Sequence, residues 1–154
     1  MIKHELDITI NRPLPEVFAY LCDFHKSTEW QKSGLVEVKQ VTNGPMAVGY
    51  QFIGVRNFMG RRMESLLEMI DFQPNKQFAY KSLSGTTPFK QIFQFETTPQ
   101  GTKVSTMIEL ETTGLLGLAT PLIASGLKRD MGADFETLKK KLEMQPAKVV
   151  ASKQ

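Results

Sequence analysis

Few side chains in this sequence have the types and spacing that chemistry needs. The histidines are His4 and His25, and the one cysteine is Cys22. An imidazole metal site would take both histidines with a carboxylate or a thiolate. His4 and His25 stand far apart without ligand spacing, so no metal site is expected. Cys22 precedes His25 closely, but it falls on the apolar face of a short helix, where a thiol is ordinarily a small buried hydrophobe. Glu64 and Glu68 share one strand face, and paired carboxylates act as acid and base when burial drives their pKa values apart. The opposite face carries Met63, Leu67 and Met69 and is the better core face, so the glutamates are expected in solvent. Arg56, Arg61 and Arg62 flank the Phe58-Met59-Gly60 connection. They would attract an anionic ligand group at a cavity mouth, or form a solvated hairpin rim. Tyr50, Tyr80, Thr106, or a carboxylate that faces inward against this reading, are the remaining acid/base candidates. No Ser-His-Asp order, phosphate-cradling glycine loop or cysteine-rich metal spacing is present. No catalytic residue is assigned, and no cofactor is implied.

The aromatic and methionine set says more. Trp30, Tyr50, Phe52, Phe58, Tyr80, Phe89, Phe93 and Phe95 come from several elements, joined by Met63, Met69, Met107 and Met131. Phe93 and Phe95 share strand parity, as do Phe78 and Tyr80, so each strand offers a consistent face. Core packing accounts for most of them. Aromatic rings and flexible methionines also suit an adaptable apolar pocket. Gly126 and Gly132 fall inside a helical pattern, where each costs about 1 kcal/mol against alanine. Room for a ligand and close helix-to-sheet packing both explain them.

The elements that must position these residues follow from periodicity. Ile2, His4, Leu6, Ile8 and Ile10 alternate with polar residues, which marks a strand with one buried face. Asn11-Arg12-Pro13 ends it. Pro15 suits a first helical turn and Glu16 complements the helix dipole, with Leu14 as a poor N-cap. Val17, Phe18, Leu21 and Cys22 recur at helical spacing, and His25 to Ser33 is polar around Trp30, a second short helix or turn. From Leu35 to Leu110 the signals are strand and turn. The strands are expected near Leu35–Val41, Val48–Val55, Met63–Phe72, Gln77–Leu83, Gln91–Thr97 and Thr102–Glu111, paired antiparallel through short turns. Thr120-Pro121 then opens a long amphipathic helix carrying Leu122, Ile123, Leu127, Met131, Phe135, Leu138 and Leu142. Leu115 to Ala119 adds an earlier turn, and residues 145–154 read as a flexible tail.

The chain has 154 residues and a mass of 17.4 kDa, the size of one domain. Its composition excludes disorder throughout, a collagenous repeat and a disulfide-stapled mini-protein. A net charge of +3 is too weak to imply nucleic acid. One cysteine allows no intrachain disulfide and fits a reducing compartment. No apolar segment at the N-terminus suggests a secretory signal, and Thr112 to Leu127 is too short and too broken by Gly and Pro for a membrane span. A cytoplasmic protein without stable membrane insertion is expected.

The predicted fold is α+β: a six- to seven-stranded antiparallel sheet curled around one long C-terminal helix, with one or two short helices after the first strand. One helix of ordinary width (~10–12 Å) does not fill such a concavity, so a cavity between sheet and helix is expected. In this arrangement the chain resembles the START-like, birch-pollen-allergen-like superfamily with a helix-grip fold, also called SRPBCC. Within it the likeness is to the polyketide cyclase/dehydrase and lipid-transport group. The residues that carry it are Asn11-Arg12-Pro13-Leu14-Pro15-Glu16-Val17-Phe18-Ala19-Tyr20-Leu21, Asp23 and Trp30. Val48-Gly49, Met69-Ile70-Asp71-Phe72-Gln73-Pro74, Gly101-Thr102-Lys103-Val104 and Leu138-Lys139 with Leu142-Glu143 complete it. The resemblance covers Ile2 to Glu143. It implies one helix-grip domain over residues 1–144 and a ligand-binding cavity, but no particular reaction.

The leading functional expectation is a binding module for a small hydrophobic molecule, lipid-, polyketide- or aromatic-like. Its walls are expected from Trp30, Phe52, Tyr80, Phe93 and Phe95, with Leu122, Gly126 and Met131 from the helix. A cyclase or dehydratase working in the same cavity is the alternative. A lipid carrier that touches membranes through Leu115–Leu127 is the second. No buried cluster of titratable side chains is expected in the cavity, His4 being the exception to watch. Oligomeric state is open.

Overall fold

Alternation in the sequence becomes one sheet in the computed structural model, which describes residues 1–58, 60–85, 87–112 and 119–144. The strands are β1 (Ile2–Ile10), β2 (Leu35–Gln40), β3 (Gln51–Phe58), β4 (Arg61–Gln73), β5 (Gln77–Ser82), β6 (Phe89–Thr98) and β7 (Gly101–Leu110). Helix α1 (Leu14–Cys22) and a 3₁₀ helix (Phe24–Glu29) follow β1, and helix α2 (Thr120–Met144) follows β7. The sheet has seven strands in the order β1-β7-β6-β5-β4-β3-β2, and every pair is antiparallel. This is the expected helix-grip architecture.

Register decides what faces the concave side. Residues directly opposed across an antiparallel pair point the same way. Leu6 faces Thr106, Thr106 faces Phe93, and Phe93 faces Phe78. Tyr80 faces Met69, and Leu67 faces Phe52. These residues therefore line one surface. Glu64 and Glu68 stand on the other face of β4, bonded to Lys39 and Gln51, as the parity of β4 required. A bulge between Met69 and Asp71 adds a residue to β4. It lets Met69 and Phe72, three positions apart, both serve the core.

One end of the concavity is closed. Val17, Phe18 and Leu21 of α1 are buried, and Phe18 meets Phe72, Phe78 and Phe95 at ring-centroid distances of 5.9, 5.9 and 4.9 Å. The corner before α1 leaves no room at Gly101. That glycine has φ +131°, and a Cβ there would run into the Ile10 carbonyl and approach Arg12 N to 3.0 Å. The C-terminal half of α2 is fastened to the same corner. Lys139 Nζ donates to Thr9 O at 2.5 Å, and Asn11 N donates to Glu143 Oε2 at 2.8 Å. Phe135, Leu138 and Leu142 are buried there.

Several boundaries differ from expectation. Helix α1 is capped by Pro13 and begins at Leu14, so Pro15 is its second residue. β3 begins at Gln51, not Val48, because Gly49 takes φ +95° in a turn in which Tyr50 N donates to Ala47 O at 3.1 Å. Val48 is left exposed. The polar run after Cys22 is a 3₁₀ helix whose first residue, Phe24, stacks on Phe52 at 4.2 Å. Most of the expected turn at Leu115 to Ala119 and the whole tail at 145–154 lie outside the described residues.

Candidate functional site

The aromatic residues singled out in the sequence meet across four elements. Phe52 lies 5.8 Å from Tyr80, Tyr80 lies 6.3 Å from Phe93, and Phe93 stacks on Phe135 of α2 at 6.4 Å. Phe135 meets Trp30 edge-on at 5.9 Å. Phe95 joins through Phe78, but its close partner is Phe18, so it belongs to the end that α1 fills. Around Phe78 and Phe93 the rings touch at 4.9 Å, and the interior there is occupied by side chains.

The helix residues divide differently. Ile123, Leu127, Met131, Asp134 and Leu138 succeed one another at spacings of four and three, one face of α2. Ile123, Asp134 and Leu138 are buried, and Leu127 and Met131 are half-buried. Leu122 is 69% exposed. It does not stand beside Met131 as expected, because nine residues make about two and a half turns and set the two on opposite sides. A Cβ at Gly126 would meet only the Arg129 guanidinium at 3.6 Å, and one at Gly132 would meet nothing within 4 Å. Close helix-to-sheet packing therefore explains neither glycine. Gly132 lies about half a turn from Asp134, on the far side of the helix, and leaves no room for a ligand against the sheet.

The concave face carries polar groups as well as rings. Tyr80 Oη donates to Gln91 Oε1 at 3.1 Å, Gln91 Nε2 donates to Thr106 Oγ1 at 3.0 Å, and Thr106 Oγ1 donates to Ile92 O at 2.9 Å. Burial pushes the Tyr80 phenol up to about 12, with the nearby Arg56 charge opposing. Asp134 is buried on α2 and accepts from Ser33 N at 3.0 Å and from Ser33 Oγ at 2.6 Å. Burial raises its carboxyl above the ordinary value, while the Ser33 bonds and Arg56 act the other way.

Arg56 sits on β3 opposite Met63 and Leu35, on the same face as Gly54 and Phe52. Its guanidinium donates to Gln31 Oε1. The residue is open to water, yet desolvation lowers its pKa from the ordinary value. Trp30 Nε1, just before Gln31 in the chain, is buried without a hydrogen-bond partner among the described residues.

No buried titratable cluster was expected in the cavity, yet Asp134 and Tyr80 are both buried on this side. That reading inspected the strands for Asp, Glu and His patterns, and the carboxylate came from α2 instead. Asp134 breaks the apolar series of the helix three residues after Met131, which was the available signal. Arg56 was read with Arg61 and Arg62 as either an anion-attracting cavity mouth or a solvated rim, and it is exposed, on the face of β3 that carries Phe52. His4 does face inward, opposite Ile108, and its pKa is lowered by burial and then by Lys128. It makes no hydrogen bond to a carboxylate among the described residues. Cys22 is half-buried, and burial pushes its thiol up to about 12. No group of three or more His, Cys, Asp or Glu among the described residues is placed to hold a metal. No helix among them is long and apolar enough to cross a membrane. Two surface clefts lie at the other end of the strands, one lined by Thr9, Asn11, Gln100 and Lys139 and the second centred on Pro13 and Pro99. Neither includes an expected wall residue.

A seven-stranded antiparallel sheet gripping a C-terminal helix defines the START-like class of fold. Residues 1–143 match the family described as polyketide cyclase / dehydrase and lipid transport, and the chain belongs to that family. Its superfamily commonly binds hydrophobic ligands. No curated protein matches the chain in sequence. Among solved structures, TTHA0849 from Thermus thermophilus is 16% identical with a TM-score of 0.78, over 91% of this chain and 96% of that one. A START superfamily protein from Mycobacterium smegmatis is 11% identical with a TM-score of 0.74, over 92% and 97%. Ara h 8.0201 is 14% identical with a TM-score of 0.70, over 93% and 98%. These likenesses establish the fold.

Proposed function

We propose that this protein binds a small, largely apolar molecule between the sheet and the N-terminal half of α2. One observation carries the reading. Along one face of α2, Leu138 and Leu142 are 0% exposed, whereas Leu127 and Met131 remain half-buried. The helix is therefore less tightly packed at Leu127 and Met131 than at Leu138 and Leu142, although Ile123 before them is buried. A largely apolar space with a few placed polar groups is the usual form of a small-molecule site. In this reading Trp30, Phe52, Tyr80 and Phe93 supply the aromatic wall, Leu127 and Met131 the helical wall, and Gly126 a flank.

Binding fits the chemistry better than catalysis does. A general acid or base works best with a pKa near the operating pH. Tyr80 and Cys22 are both pushed up to about 12, and both oxygens of Asp134 are engaged by Ser33. Fluorescence titration with the neutral apolar dye Nile red tests the reading. The wild type is expected to bind it, Met131→Trp to weaken binding at least fivefold, and Leu122→Trp to leave it unchanged. Equal binding by all three proteins would place the dye elsewhere and defeat the proposal.

A further inference from the structure

The buried polar groups around the proposed site are satisfied with one exception. Tyr80, Gln91 and Thr106 bond in a string that ends on the Ile92 carbonyl. Both oxygens of Asp134 accept from Ser33. Elsewhere, buried Arg12 Nε and Glu16 Oε2 face each other at 3.2 Å in an ion pair. Trp30 Nε1 is the buried side-chain donor that has no counterpart among the described residues. Such groups are rare in folded proteins, because the donor has given up water and gained nothing in exchange. The Trp30 ring meets Phe135 edge-on at 5.9 Å. Met131 stands one turn before Phe135 on α2 and is half-buried. The unsatisfied indole therefore lies beside the loosely packed stretch of the helix.

We infer that the ligand carries a neutral carbonyl oxygen that accepts from Trp30 Nε1, on an apolar body that lies along Met131 and the neighbouring rings. This rests on the binding function proposed above and adds the chemical class of the ligand. An indole N–H only donates and a carbonyl only accepts, so one bond satisfies both. A hydroxyl would bring a donor of its own to a place where the oxygens of Asp134 are already engaged. An acid fits no better. The indole is uncharged, and Arg56, bonded to the adjacent Gln31, is opposed by Asp134 and Asp130 of α2. No surplus of positive charge calls for an anion. The ligand reaches the indole by displacing Met131, whose unbranched and flexible side chain re-packs readily.

Trp30 is the one tryptophan of the chain, so isotope-labelled protein gives a single indole N–H resonance in NMR spectra. Titration with benzophenone, diphenylmethane and diphenylacetate tests the assignment, since the three share two rings and differ in the polar group. Benzophenone is expected to move the indole proton downfield of its position with diphenylmethane, and to bind at least threefold more tightly than diphenylacetate. Trp30→Phe should weaken benzophenone at least fivefold and leave diphenylmethane within twofold, with circular dichroism to check the fold. If benzophenone and diphenylmethane bind and move the resonance equally, the carbonyl assignment fails while the apolar site stands. Equal weakening of both by Trp30→Phe has the same meaning. Tighter binding of diphenylacetate overturns the argument for a neutral ligand. If none of the three binds, both proposals fall together. The wild-type spectra decide the matter even if the variant does not fold.

Discussion

Ser33 Oγ donates to Asp134 Oδ2 at 2.6 Å, and Ser33 N donates to the other oxygen of the same carboxylate at 3.0 Å, across 101 residues of chain. The pair ties α2 to the segment that carries Trp30 and Gln31. Through Gln31 it also fixes the neighbourhood of Arg56.

That tether gives a pH signature. Asp134 has its folded pKa raised, chiefly by burial. A carboxyl raised on folding contributes stability that is present below its ordinary pKa and is lost as pH rises through the folded value. Ser33→Ala removes one bond to the ionised form and pushes that value further up. Urea unfolding should show Ser33→Ala less stable than wild type by about 2 kcal/mol at pH 7, since hydrogen bonds to charged groups are worth about that much. The deficit should shrink towards pH 4. A deficit independent of pH would mean that Asp134 is not the group coupled to Ser33.

Gly101 is required by geometry. Its φ of +131° and the Ile10 carbonyl against the position of a Cβ leave no alanine conformer without displacement of the β1–α1 corner. Gly101→Ala should lower stability by about 2 kcal/mol or more, because strained backbone costs of this order add to the clash. Thermal unfolding would reveal it. Gly44→Ala is the control, since φ there is +99° but nothing lies within 4 Å of a Cβ. It should cost visibly less.

The parts of the fold read correctly from sequence are those with a strict period. Alternation in β1 predicted the face that Leu6 and Ile8 now occupy, opposite Thr106 and Val104 of β7. The three- and four-residue spacing of α2 predicted Phe135, Leu138 and Leu142 in the core. Leu122 was misplaced because it is apolar and near the helix start, while 3.6-fold geometry turns it away from Met131. Phe24 was missed because a 3₁₀ turn has no amphipathic period of its own, and tertiary contact with Phe52 decides its burial. The Ser33–Asp134 pair was beyond reach, since no local pattern links positions so far apart. The face that Arg56 shares with Phe52 is legible by parity once the sheet register is known, whereas Asp134 on the helix is not.

Tyr80 supplies a prediction at high pH. Its phenol is raised from 10.0 to about 12, chiefly by burial. An acid whose pKa is higher in the folded state loses its stabilising share as pH rises between the unfolded and folded values. Stability should therefore fall from about pH 10 upward, and Tyr80→Phe should fall less steeply over that range. At pH 7 the same variant leaves Gln91 Oε1 without its donor, a cost of about 1 kcal/mol. Chemical denaturation at pH 7 and pH 11 measures both effects, and parallel losses in the two proteins would contradict the burial of the Tyr80 hydroxyl.

The two halves of α2 should respond unequally to truncation. Leu138 is 0% exposed among the buried residues of the core, so Leu138→Ala removes packed atoms and leaves a void, a cost of about 2–5 kcal/mol. Met131 faces the same way two turns earlier but is half-buried. It has fewer packed neighbours to lose, and Met131→Ala should cost about 1 kcal/mol or less. Such an inequality is what the proposed space between helix and sheet would produce. A bound ligand should also reverse part of it. A ligand stabilises the folded state in proportion to RT ln(1 + [L]/Kd), so saturating Nile red should raise the melting temperature of wild type more than that of Met131→Ala. Equal costs for the two truncations would mean that the helix covers the sheet evenly along its length, and the proposed site would have no room.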